Sequence, residues 1–352
     1  MSAFVDLYPH SDFPFIVPPL RDCLTIRAPC SLGLAPRNTT AYWHEVSDYF
    51  CFLALPVIMS LALVMEMLSV VVLIRQVRQS LDTYLMGLSL AAILLLACTT
   101  LLVLQHYIGP EPHLVHTQPY SVSCRDWFWY SAIWLLIMMS FERVLTVSAT
   151  RATTLCSANQ AAVVVVMVFA VGLVSALPRF WEYQATSLFN PATNRTSLIA
   201  QKTASTATRE YNIMYFWYVK SVTLFVPLIM MISMCVMLGC RSRRSALTKR
   251  YMAVKHSNGA ALSRKIKEES ALSTLLILLM SLYMVCSAPA GLLELAAHLA
   301  PQWMDPASRT FASLYNILAV LFFFQFDMHF IIYFCFNKQF RITLLTLFCC
   351  CC

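Results

Sequence analysis

Residues 133–144, Ile-Trp-Leu-Leu-Ile-Met-Met-Ser-Phe-Glu-Arg-Val, contain the pattern on which the fold depends. An unbroken apolar run is followed, after one serine and one phenylalanine, by the adjacent charges Glu142 and Arg143. A charged side chain costs several kcal/mol at the centre of a bilayer, so such a pair marks the edge of a membrane. The pattern therefore predicts a helix that crosses a bilayer and ends near Arg143.

The same apolar character extends through the chain. Of its 352 residues, 59% are hydrophobic and 12% are charged, against about 25% charged in an average soluble domain. Such a chain cannot hide its apolar surface from water in one globule, and lipid is the alternative solvent. Roughly 20 helical residues cross the hydrocarbon core. Breaking the hydropathy at charged, proline-rich or polar clusters predicts seven spans, at residues 47–75, 82–107, 119–147, 160–181, 211–240, 269–298 and 308–335.

The expected fold is thus an all-α, integral membrane seven-helix bundle covering residues 47–335, after an N-terminal segment of residues 1–46. In the tail, residues 336–352, apolar positions recur every three or four residues with Lys338 and Arg341 between them. This spacing is typical of a helix that lies in the membrane interface.

Basic residues indicate the orientation. They concentrate in the loops after the first, third and fifth spans and in the tail, most densely from Arg241 to Lys267. Cytoplasmic loops carry the excess of Lys and Arg, so we expect the N-terminus outside and the C-terminus inside. The basic loop is better explained by the membrane surface than by nucleic acid, and no nucleic-acid partner is expected.

Modification sites agree with that orientation. The sequons at Asn38 and Asn194 both fall on the expected outer side, where N-glycosylation occurs. Four consecutive cysteines end the chain directly after the interfacial helix, which predicts S-palmitoylation and hence contact with membrane lipid. These are Cys349, Cys350, Cys351 and Cys352.

The remaining cysteines divide by compartment. Cys23, Cys30, Cys51 and Cys124 are expected at the outer side, where disulfides persist, with their pairing left open. The thiols in helices or at cytoplasmic ends are expected to stay reduced. The segment from residue 182 to residue 212 contains no cysteine.

Helix-end motifs resemble those of rhodopsin-like (class A) G-protein-coupled receptors. Phe141-Glu142-Arg143-Val144 resembles the acidic-Arg-aromatic motif that ends the third helix. Cys286-Ser287-Ala288-Pro289 resembles Cys-Trp-x-Pro in the sixth, and Pro227 matches the usual proline of the fifth. His329-Phe330-Ile331-Ile332-Tyr333 resembles Asn-Pro-x-x-Tyr in the seventh. The likeness spans residues 47–348 and implies a plasma-membrane receptor that promotes nucleotide exchange on a heterotrimeric G protein.

Within that class the chain is most similar to invertebrate FMRFamide-type neuropeptide receptors. The runs Arg151-Ala152-Thr153-Thr154-Leu155-Cys156 and Leu177-Pro178-Arg179-Phe180-Trp181-Glu182 carry this likeness. It implies an extracellular peptide ligand. The alternatives are a receptor of the same fold for a lipid, an odorant or no ligand.

Other classes of protein are disfavoured. The sequence has no Gly-rich phosphate loop, metal-ligand spacing or nucleophile elbow, so we expect no enzyme, no cofactor and no metal site. A transporter or channel would be expected to show broken-helix pairs or internal symmetry of two halves, and neither is found.

The resemblance also implies an activation switch. Arg143 is expected to pair with Glu142 and with Glu269 of the sixth helix in the inactive state, and to turn to the G protein when the helices part. The alternative role of Arg143 is a membrane-edge anchor. Cys286, Pro289 and Tyr333 belong to the same set of motifs.

Departures from the family pattern gather inside the bundle. Glu66 stands where the family has Asn, and Ala92 where it has the Asp that holds sodium. Glu66, Asp327 and His329 are expected to form an interior polar cluster. We therefore predict that sodium does not shift agonist affinity, and that protonation of Glu66 or His329 takes the place of sodium binding. The usual cysteine bridge between the third helix and the next loop is absent from the pattern.

Charged and polar residues in the outer halves of the spans are the candidates for ligand binding. They are Arg125, Asp126, Trp129, Lys220, Glu294 and Asn316. Arg125 lies where amine receptors place an Asp, which disfavours a small amine ligand. The alternative reading is internal pairing, such as Arg125 with Glu294, or snorkelling to the interface.

Overall fold

The structure, a computed structural model, describes residues 39–76, 80–108, 112–148, 157–190, 195–204, 206, 208–255, 259–300 and 308–348. Its helices before the hairpin are α1 (Thr39–Ile74), α2 (Ser80–Ile108), α3 (Pro112–Ser148) and α4 (Ala158–Phe180). The strands β1 (Tyr183–Asn190) and β2 (Arg195–Lys202) follow. Then come α5 (Arg209–Lys220), a π-helical segment (Ser221–Phe225), α6 (Val226–Lys255), α7 (Gly259–Cys286), α8 (Ala288–Leu299), α9 (Arg309–Phe336) and α10 (Lys338–Phe348).

Within the described residues, seven helical stretches are long and apolar enough to cross a membrane, and the prediction of a seven-helix membrane bundle is confirmed. The fifth stretch joins α5, the π-helical segment and α6, and the sixth joins α7 and α8. The first to seventh spans are Leu53–Ile74, Ser80–Leu104, His116–Val147, Ala158–Phe180, Arg209–Arg244, Ser270–Leu299 and Thr310–Phe336.

Burial shows which spans occupy the centre. The most apolar window of the third span is 56% buried inside the bundle, against 17% for the fourth. Val163, Val166 and Val174 of the fourth span expose well over half of their surface. Exposed apolar area of this size would be unfavourable in water but is suited to hydrocarbon. The third span is therefore the central helix and the fourth a lipid-facing one.

Prolines modify two of the spans. Pro227 has no N–H to offer the carbonyl of Thr223 four residues earlier, and the Tyr283 hydroxyl of the sixth span donates to that carbonyl at 2.6 Å. The π-helical segment Ser221–Phe225 occupies this turn and begins directly after Lys220. In the sixth span the α-helix breaks at Ser287, two residues before Pro289, and Ser287 Oγ donates to Gln325 Oε1 at 2.8 Å.

Two strands interrupt the all-helical pattern. β1 and β2 pair antiparallel from Tyr183↔Lys202 to Asn190↔Arg195, in the connection between the fourth and fifth spans. The sequence predicted a connecting loop here, and the structure shows that this loop contains an antiparallel hairpin. The hairpin marks one end of the bundle, called here the hairpin end.

The C-terminal helix α10 begins as predicted for an interfacial segment. The Asn337 side chain accepts a hydrogen bond from the backbone N–H of Phe340 at 3.1 Å, which caps the helix start. Phe340 is fully buried. Gln76, after the first span, donates to Thr343 Oγ1 at 2.9 Å and fixes α10 to the bundle.

Several predicted sites fall on other parts of the chain. Asn38, Asn194 and the tail cysteines Cys349 to Cys352 lie outside the described residues, as do Cys23 and Cys30. The side chains of Cys51 and Glu269 are likewise outside the description. Cys124, which the sequence placed at the outer side, lies within the third span as a half-buried free thiol.

Candidate functional site

A cavity of about 40 Å³ lies between the first, second, third, sixth and seventh spans. Most of its wall is apolar, and Thr99, Arg125, Asp126 and Tyr315 provide the polar groups. The other lining residues are Leu55, Leu95, Val103, Trp129, Ala290, Ala319, Phe322 and Phe323. An apolar hollow with a few polar groups at one side is the usual form of a small-ligand site.

Trp129 is part of an aromatic group beside this cavity. Its ring stacks on Tyr283 of the sixth span with centroids 5.6 Å apart, and meets the edge of Phe322 of the seventh at 4.7 Å. Phe322 in turn contacts Phe323 edge-on at 5.0 Å. Aromatic contacts thus connect the third, sixth and seventh spans at the cavity.

Arg125 and Asp126 form an ion pair on the cavity wall. Arg125 donates from Nε and Nη2 to Asp126 Oδ1 at 3.1 and 2.7 Å. The other carboxylate oxygen, Oδ2, lies 3.2 Å from Nε of Arg179, near the end of the fourth span. Asp126 therefore already has two cationic partners, which makes it a poor acceptor for a further cation.

Arg179 extends this ion pair to the hairpin. Its Nη1 lies 2.6 Å from Oε2 of Glu182, which directly precedes β1. Glu182 Oε1 lies 3.6 Å from Nζ of Lys202, at the end of β2. The Arg179 guanidinium also lies over the ring of Tyr215 at 5.0 Å from its centroid, a cation–π contact with the fifth span.

A second ion pair joins the fifth and sixth spans. Lys220 donates to Glu294 Oε2, and both side chains are at most 10% exposed. The Tyr315 hydroxyl of the seventh span donates to Glu294 Oε1 at 3.1 Å. Internal pairing, the alternative to a ligand site, is thus present at both candidate carboxylates. Neither Lys220 nor Glu294 lines the cavity. Tyr315 connects the two sites, because it lines the cavity and donates to Glu294.

Asn316 is buried, although it does not line the cavity. Its neighbour Tyr315 is buried and also lines the cavity. Of the six candidates for ligand binding, the structure therefore brings Arg125, Asp126 and Trp129 to one cavity and pairs the remaining charges, Lys220 and Glu294, beside it.

The interior polar residues lie deeper between the first and seventh spans. His329 Nδ1 and Glu66 Oε1 are 2.9 Å apart, and Glu66 is fully buried. Ala92, where the family usually has Asp, is fully buried as well. Glu66 Oε2 and Asp327 Oδ1 are buried and accept no hydrogen bond from the described residues. Buried polar atoms of this kind are common positions for ordered water.

The switch residues extend from Glu142 and Arg143, at the end opposite the hairpin, to Cys286 and Pro289 in the middle of the sixth span. Glu142 Oε1 accepts a hydrogen bond from Ser80 Oγ of the second span at 2.5 Å, and Arg143 is half-buried. Tyr333 is fully buried and stacks on His329 with centroids 6.2 Å apart. Cys286 is buried in the core of the sixth span, beside the break at Ser287.

The sequence analysis did not select Arg179, Glu182, Lys202 or Tyr315 for this site. A signal existed for the first two, because an Arg and a Glu three residues apart flank the end of a span. An Arg at a span end usually snorkels to water, whereas Arg179 is 3% exposed. Tyr315 had no signal beyond its position next to Asn316.

Comparison with known proteins places the chain in a family. Residues 39–333 match the family model described as 7 transmembrane receptor (rhodopsin family). This range begins with α1 and ends at Tyr333, so it contains the cavity, both ion pairs and the interior polar residues. No curated protein matches the sequence.

Proposed function

The chain belongs to the rhodopsin family of seven-transmembrane receptors, and we propose that its activating ligand is an extracellular peptide. Members of the family are receptors and not enzymes, and they signal through heterotrimeric G proteins from the plasma membrane. The likeness to rhodopsin-like receptors inferred from the helix-end motifs is confirmed at this level. The peptide ligand, which the likeness to FMRFamide-type receptors suggests, is our proposal.

The orientation follows from charge. The fifth span ends with Arg241, Arg243 and Arg244. Further basic residues follow them up to Lys267. On the positive-inside rule we propose that this end of the bundle faces the cytoplasm. The hairpin end, with Asn194, would then face outward together with Asn38, and an acylated tail at Cys349 to Cys352 would face inward.

The chemistry of the cavity and its surroundings supports a peptide that ends in Arg-Phe-amide. Such a ligand presents a cation, an aromatic ring and a neutral hydrogen-bonding cap. Trp129, Phe322 and Phe323 offer aromatic surface for the ring. Glu294 offers a carboxylate for the ligand Arg, and Arg125 a donor for the cap carbonyl.

The resting cavity is too small for this ligand. Its volume of about 40 Å³ compares with about 300–1,000 Å³ for ordinary ligand pockets. Entry of a ring must therefore separate the third, sixth and seventh spans, whose aromatic side chains fill the site. A ligand that requires such a separation favours the open arrangement of the helices, which is how binding shifts a conformational equilibrium.

Glu294 gives the ligand a second way to act on the helices. Its carboxylate holds Lys220 of the fifth span and Tyr315 of the seventh. A ligand guanidinium that binds Glu294 must replace Lys220, which releases the fifth span from the sixth. The break at Ser287 lies seven residues before Glu294 and offers the sixth span a point of bending.

The observation that carries the proposal is the aromatic cavity beside the partly buried Glu294. We would express the full chain, measure guanine-nucleotide exchange in its membranes, and challenge it with a panel of neuropeptides that includes Arg-Phe-amides. Peptide-dependent exchange is expected. A response to a lipid or odorant panel alone, or exchange that no ligand changes, would overturn the peptide proposal and favour the alternative ligands.

A further inference from the structure

Five charged side chains form a buried chain of alternating sign at the hairpin end. The order is Arg125, Asp126, Arg179, Glu182 and Lys202, with successive N···O distances of 2.7, 3.2, 2.6 and 3.6 Å. Lys202 is the most exposed member, with 11% of its side chain accessible. These five ion-paired side chains connect the third span, the end of the fourth span and both ends of the hairpin.

The alternation is what makes this burial tolerable. A buried ion loses its hydration, and one partner often repays that loss incompletely. Here each of the three inner members, Asp126, Arg179 and Glu182, lies between two charges of opposite sign. The three cations exceed the two anions by a single positive charge. Loss of an inner member would leave two neighbours facing each other with the same sign.

The chain of charges ties down both ends of the hairpin. Glu182 directly precedes β1, and its backbone carbonyl accepts hydrogen bonds from Thr203 N and Thr206 Oγ1, each at 3.0 Å. Lys202 ends β2 and also donates to Asn212 of α5 at 2.8 Å. Residues 182–212 contain no cysteine, so a disulfide from this segment cannot perform the same task.

We propose that Arg179 and Glu182 are positioning residues of the cavity. Through their charges they hold both ends of the hairpin against the third span, and they keep the Asp126 carboxylate against Arg125 on the cavity wall. The cavity's role as a ligand site belongs to the proposed function. The attachment of the hairpin does not depend on it, so the experiment below uses no ligand and no G protein.

The experiment is hydrogen–deuterium exchange of the full chain in lipid nanodiscs, followed on peptides that cover residues 183–202. Glu182→Gln removes an inner anion and raises the excess from one positive charge to two. We expect hairpin amides to exchange faster by about tenfold, the scale of a lost hydrogen bond to a charged group. Glu210→Gln, at an exposed position on α5, is the matched control and should leave the exchange unchanged.

Charge compensation separates a charge-based role from simple packing. Lys202→Gln in the Glu182→Gln background restores the excess to one positive charge, so the double variant should exchange more slowly than Glu182→Gln alone. If the two substitutions instead multiply their effects, or if Glu182→Gln behaves as Glu210→Gln does, the proposal is wrong. If Glu182→Gln fails to fold, the amide exchange of the hairpin in Lys202→Gln alone tests the proposal. About threefold faster exchange would support the proposal, and unchanged exchange would overturn it.

Discussion

Lys220 of the fifth span donates to Glu294 of the sixth beside the cavity, and both side chains are at most 10% exposed. Tyr315 of the seventh span donates to the other oxygen of the same carboxylate. A single carboxylate therefore joins three spans. Because Glu294 is already paired, a cationic ligand group can bind it only in exchange for Lys220, and that exchange loosens the contact between the fifth and sixth spans.

Replacing Glu294 with Gln should weaken an agonist that contains Arg. A hydrogen bond to a charged group is worth about 1.5–3 kcal/mol, so the expected loss of affinity is roughly ten- to a hundredfold. An analogue with citrulline in place of Arg carries no cation and should bind the variant as it binds the parent. Competition binding to membranes measures both ligands.

Glu210→Gln is the control for a change of charge on the hairpin side, because Glu210 is exposed. Equal losses for the Arg and citrulline peptides in Glu294→Gln would mean that Glu294 serves only as the structural partner of Lys220. The assignment of the peptide cation to this carboxylate would then be withdrawn.

Lys220→Met tests whether a ligand cation replaces Lys220 at the Glu294 carboxylate. The variant removes the internal competitor and leaves the Tyr315 hydroxyl as the hydrogen-bond donor to the Glu294 carboxylate among the described residues. A buried charge without its counter-ion is strongly unfavourable, so a ligand guanidinium gains affinity by supplying one. We expect the Arg peptide to bind about tenfold more tightly, while the citrulline analogue shows no gain. Weaker binding of both peptides would contradict the exchange.

The sequence predicted the spans well because each requires only a long apolar run, which composition alone reveals. It also selected Lys220 and Glu294, since charges are rare within such runs. It left open whether Glu294 pairs with Lys220 or with Arg125. That pairing depends on how far the π-helical segment after Lys220 and the break at Ser287 rotate the two helices, and these are properties of the folded backbone.

The hairpin and Arg179 illustrate two other limits. Residues 183–202 hold two polar-apolar runs around Pro191-Ala192-Thr193-Asn194, a turn-rich stretch that resembles a hairpin signal. The signal was overlooked because hydropathy identifies only spans. An Arg at the end of a span is expected to extend to water, yet Arg179 is buried because Asp126 and Glu182 flank its guanidinium.

Glu269→Ala and Arg143→Ala should have opposite effects on ligand-independent signalling. If Arg143 pairs with Glu269 in the inactive state, loss of Glu269 destabilises that state by about 1 kcal/mol and raises basal nucleotide exchange several-fold. Arg143→Ala should abolish signalling. Glu268→Ala, which removes the adjacent acidic residue, is the matched control. Unchanged basal exchange in Glu269→Ala that reaches the cell surface would count against this pairing.

Sodium should not change agonist affinity. The resemblance to rhodopsin-like receptors implies that Ala92 takes the place of the sodium-binding Asp, and the buried Glu66 lies 2.9 Å from His329 Nδ1. Agonist competition curves in sodium chloride and in N-methylglucamine chloride of equal ionic strength should therefore coincide. A sodium-dependent shift that persists in Glu66→Gln would show that the interior polar residues do not replace the missing Asp.

Among the glycines at Gly87, Gly172, Gly239 and Gly291, Gly172 should be the least tolerant of an added methyl group. A Cβ there would lie 2.5 Å from Ser131 Oγ and 3.3 Å from the Trp127 ring of the third span. Trp127 cannot retreat easily, because its Nε1 donates to the Phe169 carbonyl of the fourth span at 2.7 Å. Overpacking of this kind costs about 1–3 kcal/mol, so Gly172→Ala should lower the thermal midpoint of the purified receptor.

Gly239 in the fifth span provides the matched comparison, since a Cβ built there meets no atom within 4 Å. In an open helical position Ala is favoured over Gly by about 0.5–1 kcal/mol, so Gly239→Ala should raise the thermal midpoint. Ser131→Ala removes the nearest obstructing atom and should restore part of the stability lost in Gly172→Ala. If Gly172→Ala and Gly239→Ala shift the midpoint alike, the third and fourth spans are not packed as closely as their contacts at Gly172 require.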